Sequence, residues 1–159
     1  MSLFASLIKD LSELMELDIE VSANESCSLE FGDMIITLQY RQEHDDIAIF
    51  SVVTDPEKTS TLSDTVLRAA LSLSYNGTGT DFNFIGLVNE NLVLTNYIQI
   101  EGITSEELLQ RIYSFSQSAQ NVHDSLISMV TQKVQEQSAD SSLKTESDPM
   151  TLMSVGTMS

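Results

Sequence analysis

Apolar residues recur at helical spacing over residues 2–16. Leu3, Phe4, Leu7, Ile8, Leu11, Leu14 and Met15 share one side, while Ser6, Lys9, Asp10 and Glu13 share the other. Ser2 stands where a helix cap is expected. The period then shortens to two. Ile19 and Val21 alternate with acidic or small residues. Cys27, Leu29 and Phe31 alternate with Ser28 and Glu30, and Gly32-Asp33 marks a turn. Ile36, Leu38 and Tyr40 alternate with Thr37 and Gln39, and a polar connection covers 41–46. Ile47 to Val53 is a β-rich run that is apolar on both faces in part. This pattern predicts a meander of antiparallel strands with one face on a core.

A loop over 54–59 precedes a second helix, expected from about Ser60 to Tyr75. Its stripe is Leu62, Val66, Ala69, Ala70 and Leu73, and Asn76-Gly77 closes it. Two strands, Phe82 to Val88 and Leu92 to Ile100, flank a hairpin turn at Asn89-Glu90-Asn91. The third helix has the clearest start. Thr104 and Glu107 have capping-box spacing, and Ile103 with Leu108 forms a hydrophobic staple. Its stripe runs Leu108, Ile112, Phe115, Ala119, Val122, Leu126, Met129, Val130, and periodicity places its end near Val134. Residues 135–159 lose the pattern, are rich in Ser and Thr, and are expected to be a disordered tail. The fold class is therefore α+β: an antiparallel sheet with three helices, in the order α-β-β-β-α-β-β-α. Residues 1–134 form one domain.

Charge narrows the choice of partners. The 159 residues carry 24 acidic and 7 basic side chains, a net charge of −17. Residues 1–134 hold −14 of it, so the acidity belongs to the body and not to the tail. Nucleic acid needs phosphate neutralisation by Lys and Arg, so it is excluded as a partner, and an anionic membrane surface is disfavoured for the same reason. No apolar run reaches the ~20 residues of a membrane span. One cysteine, Cys27, allows no intrachain disulfide, and Asp10, Glu13 and Glu16 interrupt any secretion-signal pattern at the start. These features suit a reducing cytoplasm.

Candidate chemistry is thin. His44 and His123 lack metal-ligand spacing to Cys or His. Asp45-Asp46 and Glu106-Glu107 are sequence neighbours, not carboxylates held in two different environments. Glu106 and Glu107 are explained by a helix start. The stretch Asn76-Gly77-Thr78-Gly79-Thr80 follows a helix and precedes a strand, the reverse of a phosphate cradle, and has no P-loop lysine. No Gly-x-Ser-x-Gly elbow occurs. Cys27 sits in an apolar alternation that suits a buried structural thiol. The expectation is a binding protein and not an enzyme.

The stretch Leu67 to Ser114 resembles the central signature of the class I chaperones of bacterial type III secretion, the Tir-chaperone type. It has a helix ending in small and apolar residues and a Gly-containing turn. A strand with Gly86-Leu87, a short acidic turn, an apolar strand and an acid-opened helix follow. The resemblance extends by order and pattern over 1–134. It implies a homodimer in the bacterial cytoplasm that binds the N-terminal segment of one or more secreted effectors, with no cofactor and no ATP. It implies a dimer surface on the second helix and later strands, through Val66, Ala70, Leu73, Phe84, Leu87, Leu92 and Leu94. It also implies an effector groove between the first helix and the early strands, through Leu3, Leu7, Ile19, Val21, Leu29, Ile36, Leu38 and Ile49. On that basis Asp at Leu38 or Ile49 should weaken effector binding and spare the dimer, whereas loss of folding would mark both as core. A regulatory adaptor that sequesters a cytosolic regulator, and a structural module without a secretion role, are the alternatives.

Overall fold

The computed structural model describes residues 1–55 and 63–158, with side chains described up to residue 139. Helix α1 spans Leu3–Met15, β1 Ser26–Phe31, β2 Met34–Arg41, β3 Asp46–Val52, α2 Asp64–Ser74, β4 Phe84–Val88, β5 Asn91–Gln99 and α3 Ser105–Met158. The five strands form one antiparallel sheet in the order β1-β2-β3-β5-β4. The expected α+β order is therefore present. Sequence order alone does not disclose that β3 pairs with β5, placing Ile49 opposite Asn96 and leaving β4 on the edge.

Local chemistry explains the element ends. The Ser2 hydroxyl accepts from the Ala5 amide at 3.0 Å, and the Thr104 hydroxyl accepts from the Glu107 amide at 3.2 Å. Each satisfies an amide that the first helical turn leaves without a partner. Ser63 caps α2 through the Val66 amide, so α2 begins at Asp64. The expected start near Ser60, with Leu62, falls outside the described residues. Asn89 and Glu90 both take positive φ, and Val88 pairs with Asn91, so the β4–β5 turn has two central residues, not three.

Two expected strand segments are not strands. Ile19 and Val21 lie in an irregular stretch, half-buried against the core, where the Ile19 amide donates to the Ser12 hydroxyl at 3.2 Å. Alternation marked which side chains pack, but this stretch has no strand partner. At the other site a 3-10 turn over Tyr75–Thr80 follows α2, and Phe82, with a φ of 61°, is in that bend and not in β4. The bend explains the glycines of the Asn76–Thr80 stretch. Gly77 has positive φ, and a Cβ there would meet the Phe82 ring at 2.6 Å. A Cβ on Gly79 would meet the Leu73 carbonyl oxygen at 2.6 Å. Close packing, not phosphate, requires them.

The core lies on one face of the sheet. Cys27, Leu29, Ile36, Leu38, Ile47, Ile49, Leu92, Leu94 and Ile98 point to it. The stripes of all three helices cover them: Phe4, Ile8 and Leu11 of α1, Val66 and Ala70 of α2, and Leu108 to Leu126 of α3. Helix α3 continues to Met158, beyond the end near Val134 that the loss of periodicity predicts. Residues 131–139 are all exposed, so the body does not hold this extension. An apolar stripe reports packing and not helicity, which is why it ends before the helix does.

Candidate partner-binding surfaces

Among the described residues, the helices cover one face of the sheet and leave the other bare. Because side chains alternate along a strand, the register fixes which residues line the bare face. One cross-strand row is Phe84, Thr95, Phe50, Thr37 and Ser28. The next includes Gly86, Val93 and Val52. Phe84 is 57% exposed, Val88 54% and Val52 49%, and Phe50 and Val93 are half-buried. Phe50, Val52, Val88 and Val93, with Gly86, Asn89, Asn91, Thr95 and Tyr97, line a concavity of about 540 Å³. Exposed apolar side chains in this number on one face mark a binding surface more often than chance scatter.

An ionic lock closes one end of this face. Arg41 donates to both carboxylate oxygens of Asp46, at 2.7 and 2.6 Å, and its guanidinium lies 4.0 Å from the Tyr97 ring centroid. The forked geometry satisfies the buried carboxylate and fixes the tyrosine. The Arg41 hydrogen bonds hold the Asp46 carboxyl below its ordinary 3.8, against burial, which pushes it up. With the folded value depressed, the stabilisation is present above the unfolded value and is lost as pH falls through the folded one. The Asp46→Asn variant is therefore expected to be less stable than the parent in urea melts at pH 7. The gap should close as the pH is lowered below about 3.8. A gap that is constant with pH would show that the carboxylate charge is not what matters.

A second apolar surface wraps the β4 edge. Leu71 of α2, Tyr75 and Phe82 of the bend, and Leu87 of β4 are each more than half exposed, on elements that pack against one another. An apolar edge strand of this kind is a liability unless something covers it. A third cluster flanks α1, where Leu3, Leu14 and Leu17 are exposed beside half-buried Ile19 and Val21.

The residues expected from the resemblance divide sharply. Of the groove set, Leu3, Ile19 and Val21 are accessible. Leu7, Leu29, Ile36, Leu38 and Ile49 are buried in the core and offer no groove surface in this protomer. Of the dimer set, Phe84 and Leu87 are exposed and Leu73 is half-buried. Val66, Ala70, Leu92 and Leu94 are buried beneath the helices. The bare-face residues Phe50, Val52, Val88, Val93 and Tyr97 were not singled out. The two-faced apolar character of the 47–53 run is a signal for Phe50 and Val52 only; Val88, Val93 and Tyr97 join them through strand pairing.

A cavity of about 130 Å³ between β5 and α3 has a mixed lining, in which Asn96 donates to Asn83 at 2.8 Å and Ser118 to Asp81 at 2.7 Å, beside Ile49, Phe115 and Arg111. Burial pushes the Cys27 thiol up to about 11, so it stays protonated and unreactive at neutral pH. His123 is tied to the Val53 carbonyl through Nδ1 at 2.9 Å, a contact between α3 and the end of β3. Among the described residues no helix is long and apolar enough to cross a membrane.

Comparison with known proteins agrees with this architecture. The profile of the Tir chaperone protein (CesT) family matches residues 6–123. No curated protein matches the chain. Among solved structures, the HopA1-SchA chaperone-effector complex aligns at 13% identity over 77% of this chain and 94% of the other, with a TM-score of 0.63. The Yersinia pestis type III secretion chaperone SycH, solved with a stable fragment of YscM2, aligns at 13% identity over 75% and 98%, with a TM-score of 0.55. The ExsC-ExsE complex aligns at 17% identity over 79% and 92%, with a TM-score of 0.57. At these identities the likeness establishes a shared fold.

Proposed function

This chain belongs to the Tir chaperone protein (CesT) family, and from that premise we propose that it is a class I type III secretion chaperone. It acts in the bacterial cytoplasm, without catalysis or cofactor. As a homodimer it holds the N-terminal region of one or more secreted effectors in a form competent for export. The carrying observation is the bare sheet face, an apolar surface that the described residues leave without a cover. An extended or locally helical segment can lay its apolar side chains on such a face, as the face is already built and needs no reorganisation. Solved relatives bear this out for themselves: HopA1-SchA is a chaperone-effector complex, and SycH is a type III secretion chaperone held with a fragment of YscM2.

The charge supports the same reading. A body at −14 favours basic or neutral segments and repels acidic ones, which affects encounter rate and choice of partner more than final affinity. The functional body is residues 1–134. Residues 135–159 lie outside the span of the family match, and side chains 131–139 are exposed.

The homodimer uses the β4 edge, where Leu87 is 58% exposed and Tyr75 and Phe82 lie on the adjoining bend. The Leu87→Asp variant is expected to fold with an unchanged circular dichroism spectrum and to elute as a monomer, as judged by light scattering. Its apparent dimer Kd should rise by at least tenfold, since placing a carboxylate in a central apolar contact should cost about 1.4 kcal/mol or more. A variant that remains dimeric places the interface elsewhere. For the chaperone activity, co-expression with the N-terminal segment of a protein secreted by the same bacterium should keep that segment soluble. Binding only to a folded cytosolic regulator would favour the adaptor reading.

A further inference from the structure

Helix α3 crosses the sheet and leaves the body at a defined place. Arg111, near its start, lines a concavity with Ile98 and Gln99 at the end of β5. Further along, His123 is bonded to the carbonyl of Val53, at the opposite end of the sheet. The Val53 amide in turn donates to Leu92, beside the turn that joins β4 to β5. This is the end of the sheet where Val52, Val88, Asn89 and Asn91 line the outer concavity. Met129 and Val130 still pack on the core, and side chains 131–139 are exposed. The part of α3 that extends past the family match, which ends at residue 123, therefore departs beside the rim of that concavity. Beyond a polar stretch, residues 150–158 read Met-Thr-Leu-Met-Ser-Val-Gly-Thr-Met, apolar in alternation with small residues and without a charged side chain.

We propose that segment 150–158 folds back over the bare sheet face of its own chain and covers it until a partner displaces it. This rests on the reading of the bare face as the partner-binding surface and adds regulation to it. The extended helix and the covered face are two states of one chain. The helical state is costly to hold past the body. Pro149 lies inside it, and a proline in a helix interior costs about 3 kcal/mol. The exposed turns over 131–139 bury nothing that would offset this. Reach is sufficient. With those turns kept helical, the chain stands about 14 Å off the body, and residues 140–149 unwound span roughly 33 Å at about 3.3 Å each. Chemistry also fits. The segment is neutral, so the acidic body does not repel it, and Met150, Met153 and Met158 are adaptable side chains suited to a surface that must also accept other sequences. Its own chain is the favoured source. A tether of this length holds the segment at an effective concentration of about a millimolar, which keeps a weak contact populated, whereas the segment of a second copy competes only at the bulk protein concentration.

Photo-crosslinking of the full-length chain with p-benzoylphenylalanine in place of Leu152 tests the cover. The expected product is a crosslink within one chain to peptides that contain Val52 or Val93. Its yield should fall about fivefold or more in the Val52→Asp background, because a carboxylate beneath an apolar segment is poorly accommodated. It should fall likewise in the complex purified with its partner from the native host. As a second readout, the Leu152→Asp/Met153→Asp chain should raise the fluorescence of anilinonaphthalene sulfonate about twofold over the parent, as apolar surface is uncovered. Adding Val52→Asp should remove that gain. Crosslinks that avoid β3 and β5, crosslinks only between chains, a yield unchanged in the partner complex, or an unchanged dye signal would each overturn the proposal. The outcomes also separate the cover from the surface beneath it. A crosslink to the concavity with undiminished partner capture by Val52→Asp would keep the cover and overturn the partner-binding reading. No such crosslink, with capture lost in Val52→Asp, would overturn the cover and leave that reading standing.

Discussion

Replacing Ile49 with aspartate is expected to unfold the protein. Ile49 is 1% exposed in β3, the central strand of the sheet, opposite Leu38 on one side and Asn96 on the other. The family resemblance placed it in a groove, where a carboxylate would disturb only binding. Its burial gives a different outcome. A carboxylate there would sit among buried apolar side chains and share its small cavity with both Asp81 and the exposed Arg111, and a poorly compensated buried charge costs several kcal/mol. Domains of this size are stable by only about 5–15 kcal/mol. The milder Ile49→Ala should fold but lose about 2–5 kcal/mol through lost burial and the cavity left behind. Leu38, fully buried and paired with Ile49, should behave the same way. Circular dichroism and urea denaturation separate the cases. A folded Ile49→Asp protein that merely fails to bind would return the residue to the groove.

Val52→Asp is expected to do the reverse, leaving the fold intact and removing partner capture. Val52 is on the same strand, three residues on, and points to the opposite face, 49% exposed and opposite Val93. Its carboxylate would stay hydrated in the free protein, so stability should change by no more than about 0.5 kcal/mol. In the complex the charge would be buried beneath apolar side chains of the partner. Central substitutions of this kind cost 2 kcal/mol or more, at least a thirtyfold rise in Kd. Titration calorimetry with the N-terminal segment of a bound effector reads that change. Unimpaired binding would move the site to the α1 flank, around Leu3, Ile19 and Val21, which are accessible and were expected there.

The contrast between Ile49 and Val52 also shows where sequence stops being informative. Helical and alternating periods disclose the three helices, the strands and the caps at Ser2 and Thr104, because each depends on neighbours close in the chain. In β3 both alternating sets are apolar: Ile47, Ile49 and Val53 on one side, Ala48, Phe50 and Val52 on the other. Periodicity shows two faces there and does not say which one the helices cover. That depends on the β3–β5 pairing and on α3 lying across the inner face, which are contacts between distant parts of the chain. For this reason Leu29, Ile36, Leu38 and Ile49, expected in a groove, lie buried on the inner face of this protomer. The same resemblance carried the correct family and fold order, since those rest on the succession of elements and not on the face each residue takes. Gly86 belongs to the Gly86-Leu87 pair that carries the resemblance, but that a Cβ there would meet open space is a property of the fold.

The central claim is that two copies of this chain hold the N-terminal segment of a secreted protein on exposed apolar surface. It is tested most directly by purifying the tagged chain from its own host and measuring the mass of the intact complex by light scattering. Limited proteolysis and mass spectrometry of the protected fragments would follow. The predicted result is a mass of two chains plus partner, with the protected fragment drawn from the partner's N-terminal region. A bare monomer, or protection confined to a folded domain elsewhere in the partner, would contradict it.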